Sequence, residues 1–248
     1  MVTCTLGEEG EVIGDDAAGL VATGADQLGG FRWWELHHAC EQLRITDRRL
    51  LGGAGTYRDS GMAGMPSADH PRAFVRAAPG APGHERAVTD LLDVLDEVRP
   101  DVVVGYDADG GYGHPDHVTA HQVMREAARR AGVPRVLAVV RPRAVFAAAV
   151  ARLDVPDGLL APKDGDLAFE VDDATVDVAV PVGWWAPVRQ AALAAHATQV
   201  RVLDGGFALS NLIAQPVLDV EYFRLLDGVP VPRAVDGGPA TNLFVGLG

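Results

Sequence analysis

The sequence has few cysteines and no long apolar run, and each shortage excludes a class of protein. Two cysteines, Cys4 and Cys40, do not form the disulfide framework that stabilises small secreted proteins, so a reducing compartment is expected. The alanine-rich run at residues 144–151 is too short to cross a bilayer, and the first residues do not resemble a signal peptide. We therefore expect a cytoplasmic protein without a membrane-spanning helix.

Positive charge is also scarce. Lysine and arginine together number 21 against 34 aspartates and glutamates, which gives a formal net charge of −13, and Lys163 is the only lysine. A surface of this sign repels nucleic acid and anionic membranes, so neither is expected as a partner and a small-molecule substrate is predicted. The 248 residues suit one sizeable domain, and we interpret residues 1–248 as that domain. The composition does not fix an oligomeric state.

Strand and helix patterns alternate along most of the chain. Apolar or β-branched runs predict strands at residues 2–6, 49–52, 102–104 and 135–140, the run at 102–104 being interpreted as buried. Helical spacing of apolar residues predicts helices at 17–44, 85–99, 115–130 and 185–195. This order predicts an α/β fold, a mostly parallel sheet with helices on both faces. Alternation at residues 167–182 predicts an antiparallel β element in the C-terminal part.

Residues 101–121 concentrate the chemistry of the chain. A glycine-rich acidic segment follows the predicted strand, and Pro115 opens a helix with Asp116 in its first turn. His114, Asp116 and His117 therefore crowd a helix N-terminus at the carboxyl end of a strand, where open α/β sheets bind ligands. A helix N-terminus disfavours imidazolium, so neutral rings able to bind a metal are expected. Simple helix capping, with the histidines present by chance, is the alternative interpretation.

Two histidines of this helix are one turn apart but receive different interpretations. His117 and His121 have the spacing of paired zinc ligands in H-x-x-x-H helices. The glutamate that accompanies such a pair in metalloproteases is absent, because Val118 follows His117. We therefore interpret His117 as a metal ligand and His121 as a packed or solvated helix residue.

Other segments leave their roles open when only the residues are considered. Arg32 is compatible with an ordinary surface arginine. The glycine-rich segment 52–64 carries Asp59 and Met62, and it either lines a site or forms a flexible surface loop. The acidic segment 7–11 follows the first predicted strand, and an exposed acidic turn is its simplest interpretation.

Five segments, in the same order along the chain, resemble the LmbE-like (PIG-L) zinc deacetylases. They are V-T-C-T-L-G-E-E-G-E-V-I-G, A-D-Q-L-G-G-F-R, Y-R-D-S-G-M-A-G, G-G-Y-G-H-P-D-H-V and A-A-L-A-A-H-A-T-Q-V. The resemblance extends from Val2 to about Gln199 and implies a Rossmann-like sheet. It also implies hydrolysis of an N-acetyl group from a glucosamine by a divalent metal, usually zinc, with ferrous iron possible. The motifs are most similar to those of members that act on N-acetyl-glucosaminyl-inositol in mycothiol biosynthesis.

The resemblance implies roles for individual residues. His117 matches a metal ligand, and His114 matches the histidine that stabilises or protonates the tetrahedral transition state. Asp116 matches the carboxylate that orients His114, and Tyr112 matches a mobile tyrosine that helps to hold the oxyanion. Five further residues match positions near the sugar and the inositol: Arg32, Asp59, Met62, Glu11 and Gln199.

One segment of the family has no counterpart in this sequence. The family carries Ala-His-Pro-Asp-Asp-Glu after its first strand, and this segment supplies the general base and two further metal ligands. His70-Pro71 is followed by Arg72 and cannot replace it. The resemblance thus implies that a first strand and helix, about 30 residues, are absent before Met1 and that this strand lies near the middle of the sheet.

Two explanations of this difference are open. In the first, a GTG valine codon of a GC-rich gene is taken for an initiator at Met1, and the longer protein is the deacetylase. In the second, the 248-residue chain is a metal-poor remnant that binds sugar, or nothing, without catalysis. A second enzymatic alternative is amidase action on mycothiol S-conjugates, which uses a similar site.

Overall fold

The fold is known from a computed structural model that describes residues 1–163, 166–167 and 170–248. Its helices are α1 (Leu28–Gln42), α2 (His84–Val98), α3 (Pro115–Ala131), α4 (Arg143–Val150) and α5 (Ala186–Ala194). Its strands are β1 (Val2–Thr3), β2 (Arg49–Leu50), β3 (Val102–Gly105), β4 (Arg135–Val140), β5 (Val178–Pro181), β6 (Arg201–Leu203), β7 (Gly206–Ala208), β8 (Ala214–Pro216) and β9 (Val220–Gly228). Short 3-10 turns occur at Ala18–Leu20, Pro66–Asp69, Phe74–Ala77, Asp173–Thr175 and Gly183–Trp185.

The strands pair in parallel near the start of the chain and antiparallel towards its end. β1 pairs with β2 in parallel, and β3 pairs with β4 in parallel. The sheet that contains β3 has the order β3-β4-β9-β5, in which β9 runs antiparallel to both of its neighbours. β6, β7 and β8 form a separate antiparallel sheet. The predicted α/β class, with parallel pairs and a C-terminal antiparallel element, is confirmed.

The main apolar core lies where α2 and α3 pack together against the strands. Phe74, Val88, Ala127 and Val136 are all almost completely buried in it. Fully burying a side chain of the size of valine or phenylalanine contributes about 1.5–3 kcal/mol, so this cluster fixes the position of α3. The first turn of α3 in turn carries the histidines that the sequence singles out.

Arg135, the first residue of β4, connects the C-terminal segment to the sheet. Its side chain is fully buried. The guanidinium donates to the carbonyl oxygens of Val229 at 3.0 Å, Pro230 at 3.0 Å and Leu243 at 2.7 Å. Buried carbonyl groups need donors, and one side chain here satisfies three of them.

A cavity of about 840 Å³ separates β1 from β3. Within the described part of the chain, β1 pairs only with β2, and β3 only with β4, so each strand has one edge beside the cavity. Val104 of β3 is 42% exposed, although its register partner Leu137 is fully buried. The prediction that strand 102–104 is buried is therefore wrong, because one side of β3 meets the cavity instead of a neighbouring strand.

Several predicted elements have different bounds in the structure. The helix predicted at 17–44 begins only at Leu28, since the preceding residues form a 3-10 turn and a loop with Asp26 at φ 52°. The strand predicted at 2–6 is limited to Val2–Thr3. In the alternating segment 167–182, only β5 is a strand, and Ala168 and Phe169 lie outside the described residues.

Among the helices of the described residues, none combines the length and the apolar character needed to cross a bilayer. The interpretation of residues 1–248 as a single domain stays a prediction.

Candidate active site

The loop between β3 and α3 brings the predicted histidines into one place. The chain turns back after β3 through glycines with positive φ, among them Gly110 at 68° and Gly113 at 81°. α3 begins at Pro115, as predicted. His114 is the N-cap residue of this helix, and its Nδ1 accepts a hydrogen bond from the backbone N–H of Asp116 at 3.2 Å. The capping interpretation took the histidines to be present by chance, but the cap is made by His114 itself, and this bond also fixes its ring.

His117 is held on two sides. Its Nδ1 donates to the carbonyl oxygen of Gly110 at 3.0 Å, and the ring of Tyr106 stacks on it at 4.0 Å between centroids. A Cβ at position 110 would lie 2.8 Å from the Cβ of His117, so only glycine allows this approach. Burial, together with the nearby His114, lowers the pKa of His117 to about 4. The ring is therefore neutral near pH 7, with the lone pair on Nε2.

His114 and Tyr112 complete an aromatic cluster around His117. The His114 and His117 rings are 4.9 Å apart, and Tyr112 approaches both rings edge-on at 6.0 and 5.0 Å. Burial lowers the pKa of His114, although the charge of Asp59 opposes this shift. Because Nδ1 of the neutral ring accepts a bond from α3, the proton lies on Nε2, which is 3.8 Å from the Asp59 carboxylate. His114 can therefore donate a hydrogen bond from Nε2.

Asp116 contacts His114 through its backbone, and its carboxylate makes other contacts. Oδ2 accepts from the backbone N–H of Ser60 at 2.9 Å, while Oδ1 is buried without a hydrogen-bond partner in the described residues. Burial raises the pKa of Asp116 to about 6. This side chain lines the cavity between β1 and β3, as does His117.

Asp59 joins the histidine cluster to the first loop of the chain. Its carboxylate accepts from the backbone N–H groups of Gly61 at 2.8 Å and Glu9 at 3.3 Å. Its own backbone N–H donates to the buried Glu8 carboxylate at 3.0 Å. Met62, three residues further along, is 46% exposed, and its backbone N–H is directed to the sulfur of Met65 at 3.2 Å.

Arg32 is buried, and the alternative of a surface arginine is wrong. Its guanidinium donates to the carbonyl oxygens of Gly7 at 2.6 Å and Glu11 at 2.7 Å. Burial lowers the pKa of Arg32, while the charges of Glu35, Asp59 and Glu8 oppose the shift. Arg32 therefore holds the loop after β1 beside Asp59. Glu11 contributes its main-chain oxygen to this contact, and the residue itself is exposed.

Gln199 contacts the side of α1 that carries Arg32. The contact is made by Glu35, a residue that the sequence did not single out. Glu35, one helical turn after Arg32, is buried and accepts a hydrogen bond from Nε2 of Gln199 at 2.9 Å. Tyr106 and Glu8 were missed as well. The only sequence signal for Glu35 is its spacing, three residues after Arg32 on a helix that also carries Trp34. Oppositely charged residues at this spacing usually form a solvent-exposed ion pair on a helix surface, so the signal did not distinguish Glu35.

The described residues do not assemble a complete metal site. Within them, no group of three or more histidine, cysteine, aspartate or glutamate side chains is arranged to hold a metal ion. His117 has the geometry of one ligand, since Nδ1 is bound to a carbonyl oxygen and Nε2 is available. His121 is buried, and its Nδ1 donates to the Tyr106 carbonyl oxygen at 2.8 Å, so its interpretation as a packed residue is confirmed.

The sequence matches a known family. The family model described as PIG-L, GlcNAc-PI de-N-acetylase, matches residues 1–128. The chain therefore belongs to the PIG-L family, and the resemblance found in the five segments is confirmed.

Relatives are similar over the whole of this chain. A protein of Nakamurella multipartita is 55% identical over 250 residues, covering 100% of this chain and 85% of the relative. A protein of Nocardia farcinica is 47% identical over 264 residues, covering 100% of this chain and 86% of the relative. Both are named 1D-myo-inositol 2-acetamido-2-deoxy-alpha-D-glucopyranoside deacetylase.

Proposed function

We propose that this chain is an amide hydrolase that removes the acetyl group from 1D-myo-inositol 2-acetamido-2-deoxy-alpha-D-glucopyranoside. The observation that carries the proposal is the 55% identity, over the whole chain, to a relative named for that reaction. The cluster of Tyr112, His114 and His117 supports it, because this cluster provides the donors that amide hydrolysis requires.

The proposed chemistry uses His114 as a hydrogen-bond donor. Attack of water on the acetyl carbon places negative charge on the carbonyl oxygen, and collapse of the adduct releases acetate and the amine. A neutral His114 with its proton on Nε2 donates a hydrogen bond to that oxygen and keeps the proton, while the amine leaves with a proton that comes from the attacking water. The Tyr112 hydroxyl, on a half-exposed side chain at the rim of the cluster, is the second donor. One such donor contributes about 3–4 kcal/mol to the transition state.

We propose a divalent metal, zinc or ferrous iron, as the partner of His117. A bound metal polarises the amide carbonyl and lowers the pKa of water. The described residues supply one ligand for it and do not complete the coordination. The donor roles of His114 and Tyr112 follow from their own geometry.

Asp59 and Gln199 are proposed to bind hydroxyl groups of the substrate, and Met62 is proposed to contact the sugar ring. Asp59 and Gln199 carry acceptor oxygens, and the exposed side chain of Met62 offers an apolar surface at the same loop. Arg32 acts differently in this proposal. Both of its terminal nitrogens already donate to loop carbonyls, so it positions the loop around Glu11.

The experiment is a measurement of acetate released from the named amino sugar by the full chain, with zinc or ferrous iron supplied. We expect His114→Ala to lower kcat by about 10²–10³-fold, because it removes a donor to the oxyanion. His38→Ala is the matched control, since His38 is an exposed histidine of α1 and its loss leaves the rate unchanged. Absence of acetate release by the unsubstituted chain contradicts the proposal. A larger kcat/KM on the amide of a mycothiol S-conjugate favours the amidase alternative.

A non-catalytic sugar-binding protein is the second candidate function. The observation in its favour is the incomplete ligand set around His117 in the described residues. It predicts binding of the amino sugar that a chelator does not change, without acetate release. Calorimetric titration of the same ligand, with and without chelator, distinguishes the two functions.

A further inference from the structure

A buried carboxylate, Glu35, holds the segment that contains Gln199. Glu35 is 4% exposed. Its Oε1 accepts from the backbone N–H of Thr198 at 2.6 Å, and its Oε2 accepts from the Thr198 hydroxyl and from Gln199 Nε2, both at 2.9 Å. Three donors from two successive residues thus converge on one side chain that is distant in sequence. Such a carboxylate is well satisfied and has one defined orientation.

This carboxylate also determines which way round the Gln199 amide lies. An ionised carboxylate only accepts hydrogen bonds, so the amide must turn its nitrogen, and not its oxygen, towards Glu35. The second amide proton is directed to Nδ1 of His196 at 3.2 Å. Burial lowers the pKa of His196, so its ring is neutral and can accept this bond. With both protons engaged, Oε1 is the polar atom of the amide that can accept a bond from a ligand.

Two charged residues of α1, Arg32 and Glu35, hold both loops of the substrate side. Arg32 donates to the carbonyls of Gly7 and Glu11, while Glu35 accepts from Thr198 and Gln199. The loops are also joined directly, since the backbone N–H of Ile13 donates to the carbonyl of Thr198 at 2.9 Å. Gln199 is therefore fixed relative to the loop that Arg32 positions.

We propose that Glu35 is a positioning residue that determines specificity, by making Gln199 present a hydrogen-bond acceptor to a hydroxyl group of the substrate. The inference rests on the proposed function, in which Gln199 lies beside the sugar or inositol. A site that offers only an acceptor selects a ligand with a hydroxyl donor and discriminates against an ether or deoxy analogue. Glu35 touches no reacting atom in this arrangement, so its effect is on binding.

The kinetic test uses Glu35→Gln in the full chain. A neutral glutamine keeps the shape of the side chain but can turn either end of its amide towards Gln199, which frees that residue to reverse. We expect KM for the named amino sugar to rise about 10-fold with kcat within twofold, as expected for loss of one hydrogen bond made equally in the ground and transition states. Gln199→Leu should give the same rise, and adding Glu35→Gln to it should raise KM no further.

The matched control is Thr198→Val. It removes another hydrogen bond to the same carboxylate but leaves the Gln199 amide contact, so KM should stay unchanged while the melting temperature falls as in Glu35→Gln. Additive effects of Glu35→Gln and Gln199→Leu on KM, or an equal KM rise in Thr198→Val, would overturn the inference. In either case the carboxylate would act only on the stability of the fold.

A second measurement does not depend on activity. The side-chain amide protons of Gln199 in ¹⁵N-labelled protein should move upfield in Glu35→Gln and stay in place in Thr198→Val. No shift in Glu35→Gln overturns the inference even where the unsubstituted chain deacetylates the amino sugar. Absence of acetate release by the unsubstituted chain overturns the proposed function instead, and with it the role of Glu35 in specificity.

Discussion

Adjacent strands of the main sheet differ sharply in how completely they are packed. β4 has a neighbouring strand on each side, and its Leu137 is fully buried against Val178 and Phe223. β3 has one neighbour in the described chain and a cavity on its other side, and Val104, directly opposite Leu137, is 42% exposed. The candidate site follows β3, the less packed of the two strands.

This difference is visible in the polar groups as well. Each of the three guanidinium nitrogens of Arg135 in β4 donates to a carbonyl oxygen, whereas Asp116, beside the cavity, has a buried oxygen without a partner in the described residues. A buried polar atom left without a partner costs about 1–3 kcal/mol. The β4 side therefore stabilises the fold, and the β3 side carries reactive groups at a cost in stability.

The largest effect that would sharpen the comparison is expected from Arg135→Met. The substitution leaves three buried carbonyl oxygens without their donor, so the free energy of unfolding should fall by about 3 kcal/mol or more. Urea unfolding at equilibrium measures the change. The control is Arg129→Met, which removes an exposed arginine paired with Glu126 on the surface of α3. Equal losses in the two variants would show that Arg135 does not anchor the C-terminal segment.

A smaller effect is expected from substitutions at Leu137 and Val104, the paired residues of β4 and β3, which compare the two strands directly. Leu137→Ala opens a cavity in a filled region and should cost about 2–5 kcal/mol. Val104→Ala removes methyl groups that already face the cavity and solvent, so its cost should stay below about 1 kcal/mol. Both variants are compared by thermal and urea unfolding. Similar costs at the two positions would mean that the cavity side of β3 is packed in solution.

The same contrast explains which parts of the fold could be predicted from the sequence. α2 was predicted at 85–99 and is found at His84–Val98, because its buried positions carry apolar residues at helical spacing. α1 was predicted eleven residues too early. Its buried face includes Gly29, Arg32 and Glu35, so no apolar stripe marks where the helix begins.

The candidate site divides in a similar way. His114, Asp116 and His117 are close in sequence, and one helix start brings them together, so the residues alone could predict their proximity. The contact of His114 with Asp59 and that of Glu35 with Gln199 join segments far apart in the chain. Such contacts depend on how loops pack against α1, and the family resemblance, not the local pattern, pointed to Asp59 and Gln199.

The smallest expected effect is a change of unfolding free energy with pH in the metal-free protein. It measures how much the burial of an ionised Asp116 carboxylate destabilises the fold. Burial raises its pKa from 3.8 to about 6, so the folded state holds a proton that the unfolded state releases between these values. The stability that this carboxyl contributes is therefore fully present below 3.8 and is lost as the pH rises through about 6. Asp116→Asn removes this titration, so the variant should gain stability relative to the unsubstituted chain on going from pH 4 to pH 7.

His117 provides the opposite sign for the same measurement. Its pKa is lowered from 6.5 to about 4, so its contribution is present above 6.5 and is lost as the pH falls through about 4. His117→Gln should therefore gain stability relative to the unsubstituted chain as the pH falls, the reverse of Asp116→Asn. Unfolding by urea at several pH values in the presence of a chelator separates the two curves. If the unfolding free energies of Asp116→Asn and of the unsubstituted chain changed equally between pH 4 and 7, the carboxyl would be hydrated and the cavity beside β3 would be open to water.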